Sequence, residues 1–295
     1  MNYICPMQLQ THYTQDQLRD YSSLFSRSEA QSWLRRDFTS INFKITRYDG
    51  YWRSSAKATY LDYLRHIYHI LEQNYPNEYV LKNAFLTEWL IKEIGKSNSK
   101  VFSEYRVGDA VADLVMFNGE SKVFEIKTEF DTDNRLTLQL ENYRKAFNKI
   151  FIIIPESKLA FYQKYDVGVG LITFNGNRIQ KFILQRDATS NAEVDAETIM
   201  HILHTQEYKS IVKAYYGRLP EMTSFNQFHK CYELIRNIPN QELNSQFIEQ
   251  MKSRDHENVL SQRYYKELNQ LSLALRLNKS KRNNMIQILK SPLNA

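Results

Sequence analysis

The sequence predicts an α/β protein, a sheet with helices packed on it, carrying mainly helical additions on both sides. Three observations lead there. Between residues 79 and 183, short apolar runs of strand length alternate with segments of helical period. One of those runs, IFIII at 150–154, is apolar throughout, as in a buried strand, and Pro155 ends it. Outside this stretch the pattern is mainly helical, with no internal repeat and no low-complexity tract. The chain thus divides into regions 1–78, 79–183 and 184–295.

Residues 1–78 show helical patterns near 15–37 and 56–74. Between them FKITRYDGYWRSSAK (43–57) mixes basic and aromatic residues, which suits either a nucleic-acid contact or a surface loop with partly buried rings. VLKNAFLTEWLIKEIG (80–95) is helical, with apolar residues at 81, 84, 85, 91 and 94 and Gly95 as its stop. Strands follow at 101–107, 110–117 and 122–130, the last two joined by the turn NGES. A helix at 134–148 takes Asp133 as N-cap. A strand at 149–155, a short helix at 156–165 and a strand at 167–175 complete the central region. Later helices break near Gly217, Pro220 and Pro239. After Glu267 there is no acidic residue, while Arg276, Lys279, Lys281, Arg282 and Lys290 make either a solvated helix face or a DNA-facing surface.

Composition narrows the function. With 295 residues, 42% hydrophobic and 24% charged, the chain can bury a core and is not disordered. Two cysteines, Cys5 and Cys231, make no disulfide framework and fit a reducing cytoplasm. The first residues lack a basic segment followed by a long apolar run, so no secretory signal is expected. No apolar run nears the ~20 residues of a membrane span, so the expectation is a soluble, cytoplasmic protein without membrane contact. A net charge of +6 favours polyanionic partners, nucleic acid first. No GxSxG, Walker or HExxH motif occurs, and Gly168-Val-Gly170 lies in a strand pattern rather than opening a helix. His66 and His69, like His201 and His204, share helical faces but lack a third metal ligand in sequence, and read as boundary histidines. His229 and Cys231 diverge on a helix.

The chemistry concentrates in FEIKTEFDTDNRLTLQLENY (124–143). Glu125 and Lys127 are two apart on a strand and share a face. Asp113 lies opposite Glu125 only if the hairpin has an odd-length loop such as 118–120 or a bulge, for which Asn118-Gly119 is suited. Two converging carboxylates repel unless neutralised, and a hard divalent cation such as Mg²⁺ is the usual answer. A lysine beside them could activate water or stabilise charge on a phosphate. Glu88 interrupts an apolar helical stripe, so it is either a further ligand or a boundary residue whose tip reaches water. Gln139 and Tyr143 are one turn apart, with Arg135 one turn earlier, and either position phosphate and water or pack at a helix edge with Arg135 exposed.

Asp113 followed by Glu125-Ile126-Lys127 resembles the D…(D/E)xK signature of the PD-(D/E)XK nuclease superfamily. Gln139-Leu-Glu-Asn-Tyr143 resembles the QxxxY element of its RecB-like and lambda-exonuclease-like branches, and Glu88 falls where those branches carry an acid on the first core helix. Ala112 stands where the family name has proline. The resemblance covers roughly residues 80–175 and implies a restriction-endonuclease-like αβββαβ core with a mixed sheet. It implies metal binding by Asp113 and Glu125, with the Ile126 carbonyl as a third ligand and Glu88 assisting. Lys127 would act on the nucleophilic water or scissile phosphate, Gln139 and Tyr143 would position substrate or water, and Arg135 would touch phosphate. The implied protein is a DNA nuclease dependent on Mg²⁺ or Mn²⁺, acting in defence or mobile-element biology, alone, as a homo-oligomer or with a protein partner. The alternative is a catalytically silent member of the fold that binds nucleic acid or protein.

Overall fold

The computed structural model describes residues 13–54, 57–94, 99–164, 166–255 and 257–293. Expectations on the first twelve residues, Cys5 and Gly95 fall outside these ranges. Contacts divide the chain into two compact units: Met1–Val80 with Asn283–Ala295, and Leu81–Arg282. Among the described residues, no helix is long and apolar enough to cross a membrane.

The first unit is helical: α1 (Gln15–Ser22), α2 (Arg27–Leu34), α3 (Thr39–Tyr48) and α4 (Tyr60–Asn74). The segment 43–57, a mixed stretch in sequence, is the second half of α3 followed by a 3₁₀ turn at Gly50–Ser54; residues 55 and 56 lie outside the description. Trp33, Tyr21, Ile41, Tyr63 and Leu64 form a core. Buried Asp49 accepts hydrogen bonds from the hydroxyls of Tyr21 and Tyr63, each at 2.7 Å, which satisfies a carboxylate otherwise costly to bury. Thr59 and Asp62 form a capping box that starts α4. Just before it, the Ala58 carbonyl and the Tyr60 amide bond to the chain near its end, at Leu293 and Ser291.

The second unit is α/β. A helical run starts as α5 (Glu78–Phe85), passes through one π turn at Leu86–Leu90, and ends as α6 (Ile91–Ile94). Six strands follow: β1 (Lys100–Val107), β2 (Ala110–Phe117), β3 (Ser121–Ile126), β4 (Lys149–Pro155), β5 (Gly170–Phe174) and β6 (Phe182–Arg186). They lie in sequential order in one mixed sheet. β1, β2 and β3 are antiparallel, β3, β4 and β5 are parallel, and β6 is antiparallel to β5. The parallel steps cross over through α7 (Leu136–Arg144) and α8 (Leu159–Tyr162). The remaining helices are α9 (Ala196–Ile202), α10 (Thr205–Tyr216), α11 (Gln227–Ile235), α12 (Asn240–Ser253), α13 (Asn269–Ala274) and α14 (Lys279–Leu289), the last running into the first unit.

β4 shows why the sheet is buried on both sides. Ile150, Ile152 and Ile154 face a core shared with α7 to α12, whereas Phe151 and Ile153 face a second core shared with α5. Burying each such side chain contributes about 1.5–3 kcal/mol relative to leaving it exposed.

Several boundaries differ from the sequence reading. The strand expected at 122–130 stops at Ile126, because the Asp131 carboxylate accepts from both the amide and the hydroxyl of Thr128 and turns the chain. Phe130 is consequently exposed. Helix α7 begins at Leu136 with Arg135 as N-cap; Asp133 instead accepts the Tyr162 hydroxyl. β6 was not foreseen, and the boundary expected at 183 falls inside it. Arg282 belongs to no solvated face: it is buried and donates to Ser272, to Asn269 and to the Tyr265 carbonyl.

Candidate active site

The site is built where β2 and β3 part. Leu114 pairs with Phe124 and Phe117 with Ser121, so the loop is 118–120 and the register sets Asp113 opposite Glu125. Gly119 sits in the loop at φ 104°, a backbone conformation open to glycine. On the β1 side, Glu104 has φ 52°, and the β1–β2 pairing has a gap at Glu104 and Asp113, between Ser103↔Leu114 and Tyr105↔Ala112. Oδ2 of Asp113 accepts the Ile126 amide at 2.7 Å, and Oδ1 pairs with the Lys82 ammonium at 2.7 Å.

Glu125 is 3% exposed and held by three donors. Its Oε1 accepts Lys127 Nζ at 2.9 Å and Gln139 Nε2 at 2.7 Å; its Oε2 accepts the Tyr143 hydroxyl at 2.8 Å. Lys127 Nζ also donates to Gln139 Oε1 at 3.2 Å, so the Gln139 amide is held at both ends. Lys127 lies one residue beyond β3 but is kept in line by its amide, which bonds to the Ile153 carbonyl of β4 at 2.9 Å. Leu136, Leu140 and Tyr143 bury one side of α7 against the sheet, and this aims Gln139 and Tyr143 at Glu125. Burial raises the Tyr143 phenol far above its usual range, and the Glu125 and Asp113 charges push the same way, so Tyr143 remains a hydrogen donor.

The structure therefore brings together Asp113, Glu125, Ile126, Lys127, Gln139 and Tyr143. Glu88 is placed differently. It pairs with Lys181 at 3.0 Å, on the wall of a cavity of about 700 Å³ that none of Asp113, Glu125 or Lys127 lines. The apolar stripe around Glu88 assumes 3.6 residues per turn, and the π turn at Leu86–Leu90 breaks that count. Arg135 is exposed at the start of α7. Among the described residues, no group of three or more His, Cys, Asp or Glu side chains gathers where they could hold one ion. His69 bonds to Gln73, His204 caps α10 with Glu207, and Cys231 is buried against Met222.

Lys82 is a member of the site that the sequence reading missed. Val80 to Thr87 are buried all round the helix, so the Lys82 side chain needs an internal partner, and only tertiary packing brings Asp113 to it.

Residues 71–290 match the family described as Bacteriophage P4 protein cII. The chain belongs to the bacteriophage P4 protein cII family. The match takes in the whole sheet, α5 to α13 and every residue of the site. The chain is similar to Protein cII of Enterobacteria phage P4, 28% identical over 156 residues, which are 51% of this chain and 57% of that protein. It thus spans somewhat over half the length of this curated relative. A solved structure, the SPO1766 protein of unknown function from Silicibacter pomeroyi, shares 12% identity at a TM-score of 0.28, over 43% of this chain and 88% of that one.

Proposed function

We propose that this member of the cII family is a nuclease that hydrolyses DNA phosphodiester bonds with the help of Mg²⁺ or Mn²⁺. The observation that carries the reading is the lysine–carboxylate–amide network: Lys127, Glu125 and Gln139 contact one another within 3.2 Å at the end of the central parallel pair of strands. Supporting it, the element order from α5 to β4 is helix, three antiparallel strands, helix, parallel strand, that of an αβββαβ nuclease core.

Two carboxylates and the intervening Ile126 carbonyl form an all-oxygen donor set of the kind Mg²⁺ takes, and it needs only one or two carboxylates. Asp113, Glu125 and the Ile126 carbonyl would hold the ion, which when bound supplies Lewis acidity toward the phosphate. The rest falls to the chain. Lys127 places its Nζ beside the position where negative charge develops on the phosphate. Gln139, held by Lys127 and Glu125, offers its amide in a fixed orientation. Tyr143 holds Glu125 from the far side and bonds the Val111 carbonyl at 3.1 Å, tying α7 to β2. Arg135, exposed beside the site, is a phosphate contact for the incoming strand.

One observation favours a second reading, a catalytically silent member that binds nucleic acid. Each carboxylate already faces an ammonium, Asp113 with Lys82 and Glu125 with Lys127, so the site is electrically balanced without a metal. Incubating the full chain with closed circular and linear DNA in Mg²⁺, in Mn²⁺ and in EDTA separates the two. The nuclease reading expects cutting in either metal and none in EDTA; intact DNA under all conditions favours the silent reading.

A further inference from the structure

The segment between α10 and α11 holds apolar side chains out to water. Gly217, at φ 76°, caps α10 in the left-handed conformation, and residues 217–226 then run over the surface of the α/β unit. Phe225 is 99% exposed, and Tyr215, Tyr216, Leu219 and Phe228 are each more than a third exposed. A lone exposed apolar residue is ordinary, but five within fourteen residues mark a contact surface. The rings around the segment are held in place. Tyr216 donates to the Leu234 carbonyl at 3.0 Å, Tyr215 lies edge-on to Tyr216 with centroids 4.9 Å apart, and Phe228 packs against His201 and Tyr208. Met222 turns inward against Cys231 and anchors the middle of the segment.

Charge selects the occupant. Lys213, Arg218 and Lys230 are exposed within the same stretch, against one acid, Glu221. A membrane-seeking element presents a longer apolar helical face. Exposed rings interleaved with cations match the needs of an unpaired polyanion, whose bases stack and whose phosphates pair.

We propose that residues 213–230 form a binding surface for single-stranded nucleic acid, with Phe225 stacking on a base and Arg218 pairing with phosphate. This holds whether or not Lys127 supports cleavage. The test is fluorescence anisotropy in EDTA, with the full chain and labelled strands of about 20 nucleotides, DNA and RNA, beside a duplex of the same sequence. Phe225 faces solvent, so Phe225→Ala leaves the fold intact, which an unchanged melting temperature verifies. Single strands are expected to bind more tightly than duplex. Phe225→Ala is expected to weaken them about tenfold with an unchanged salt slope. Arg218→Ala is expected to weaken them and to flatten the slope of log affinity against log salt by about 0.7. The proposal is overturned by no binding of any strand, by duplex binding as tight as single-strand binding, or by wild-type affinity in Phe225→Ala. Binding to anionic phospholipid vesicles that Phe225→Ala abolishes, with strand binding unchanged, overturns it equally.

Discussion

Glu125 is an acid taken out of water and compensated by three neutral or cationic donors. Each donor comes from a different place: Lys127 from the same strand end, Gln139 and Tyr143 from successive turns of α7. Tyr143→Phe keeps the ring and its packing but removes the single hydroxyl proton that Glu125 Oε2 and the Val111 carbonyl share. Leaving the buried Glu125 carboxylate short of a donor is expected to cost about 2 kcal/mol, a fall of roughly 5 °C in melting temperature, measurable by calorimetry. An unchanged melting temperature would show that Tyr143 is not a structural donor. At this scale the sequence was informative about Glu125, Lys127, Gln139 and Tyr143, because alternation on a strand and one-turn spacing on a helix fix side-chain direction locally. It was silent about Lys82, whose partner Asp113 is 31 positions away and meets it only through tertiary packing.

Among elements, the β2–β3 hairpin and the extent of the first core helix were legible, and the π turn within that helix was not. Asn118-Gly119 suited the odd loop that Asp113 needs to face Glu125, and the observed pairs Leu114↔Phe124 and Phe117↔Ser121 have the register of that loop. The π turn at Leu86–Leu90 carries no comparable local mark, and it moves Glu88 to Lys181. β6 escaped notice because only Phe182 of its five residues is fully buried, which leaves no alternating signal. The β1–β2 hairpin offers a direct test of how α7 is seated. Gly108 occupies its turn at φ 56°, and a Cβ there would lie 2.3 Å from Asn142 Oδ1 on α7. Gly108→Ala is therefore expected to destabilise by about 1–3 kcal/mol, from backbone strain together with displacement of Asn142. Urea unfolding reads this as a lower midpoint at unchanged slope. A midpoint equal to wild type would mean that α7 yields freely at this contact.

Over the whole molecule, buried tyrosines set the alkaline limit of stability. Burial raises Tyr21, Tyr63 and Tyr143 well above the usual phenol value, with nearby carboxylates adding to it. Burial also raises Tyr105, to about 12, against the opposing charge of Arg254. A group whose folded value is raised favours the fold fully below its unfolded value of about 10, and that contribution is lost as pH climbs through the folded values. Stability should thus fall steadily above pH ~10, with part of the tyrosinate absorbance appearing only as the chain unfolds. Complete tyrosine ionisation in the folded protein would contradict this. The α/β class, the helical flanks and five of six strands could be read from apolar periodicity, which reflects burial and is written locally. The division into Met1–Val80 with Asn283–Ala295 and Leu81–Arg282 could not, because the end of the chain returns to the first unit across more than two hundred residues. The proposed nuclease activity assigns DNA cutting to Lys127 and the carboxylates beside it. The most direct measurement is the Mg²⁺-dependent nicking rate of closed circular DNA by wild type and Lys127→Ala, with matched circular dichroism spectra showing both folded. The account predicts metal-dependent cutting by wild type and a loss of at least about a hundredfold in the variant; cutting at the same rate by folded Lys127→Ala would contradict it.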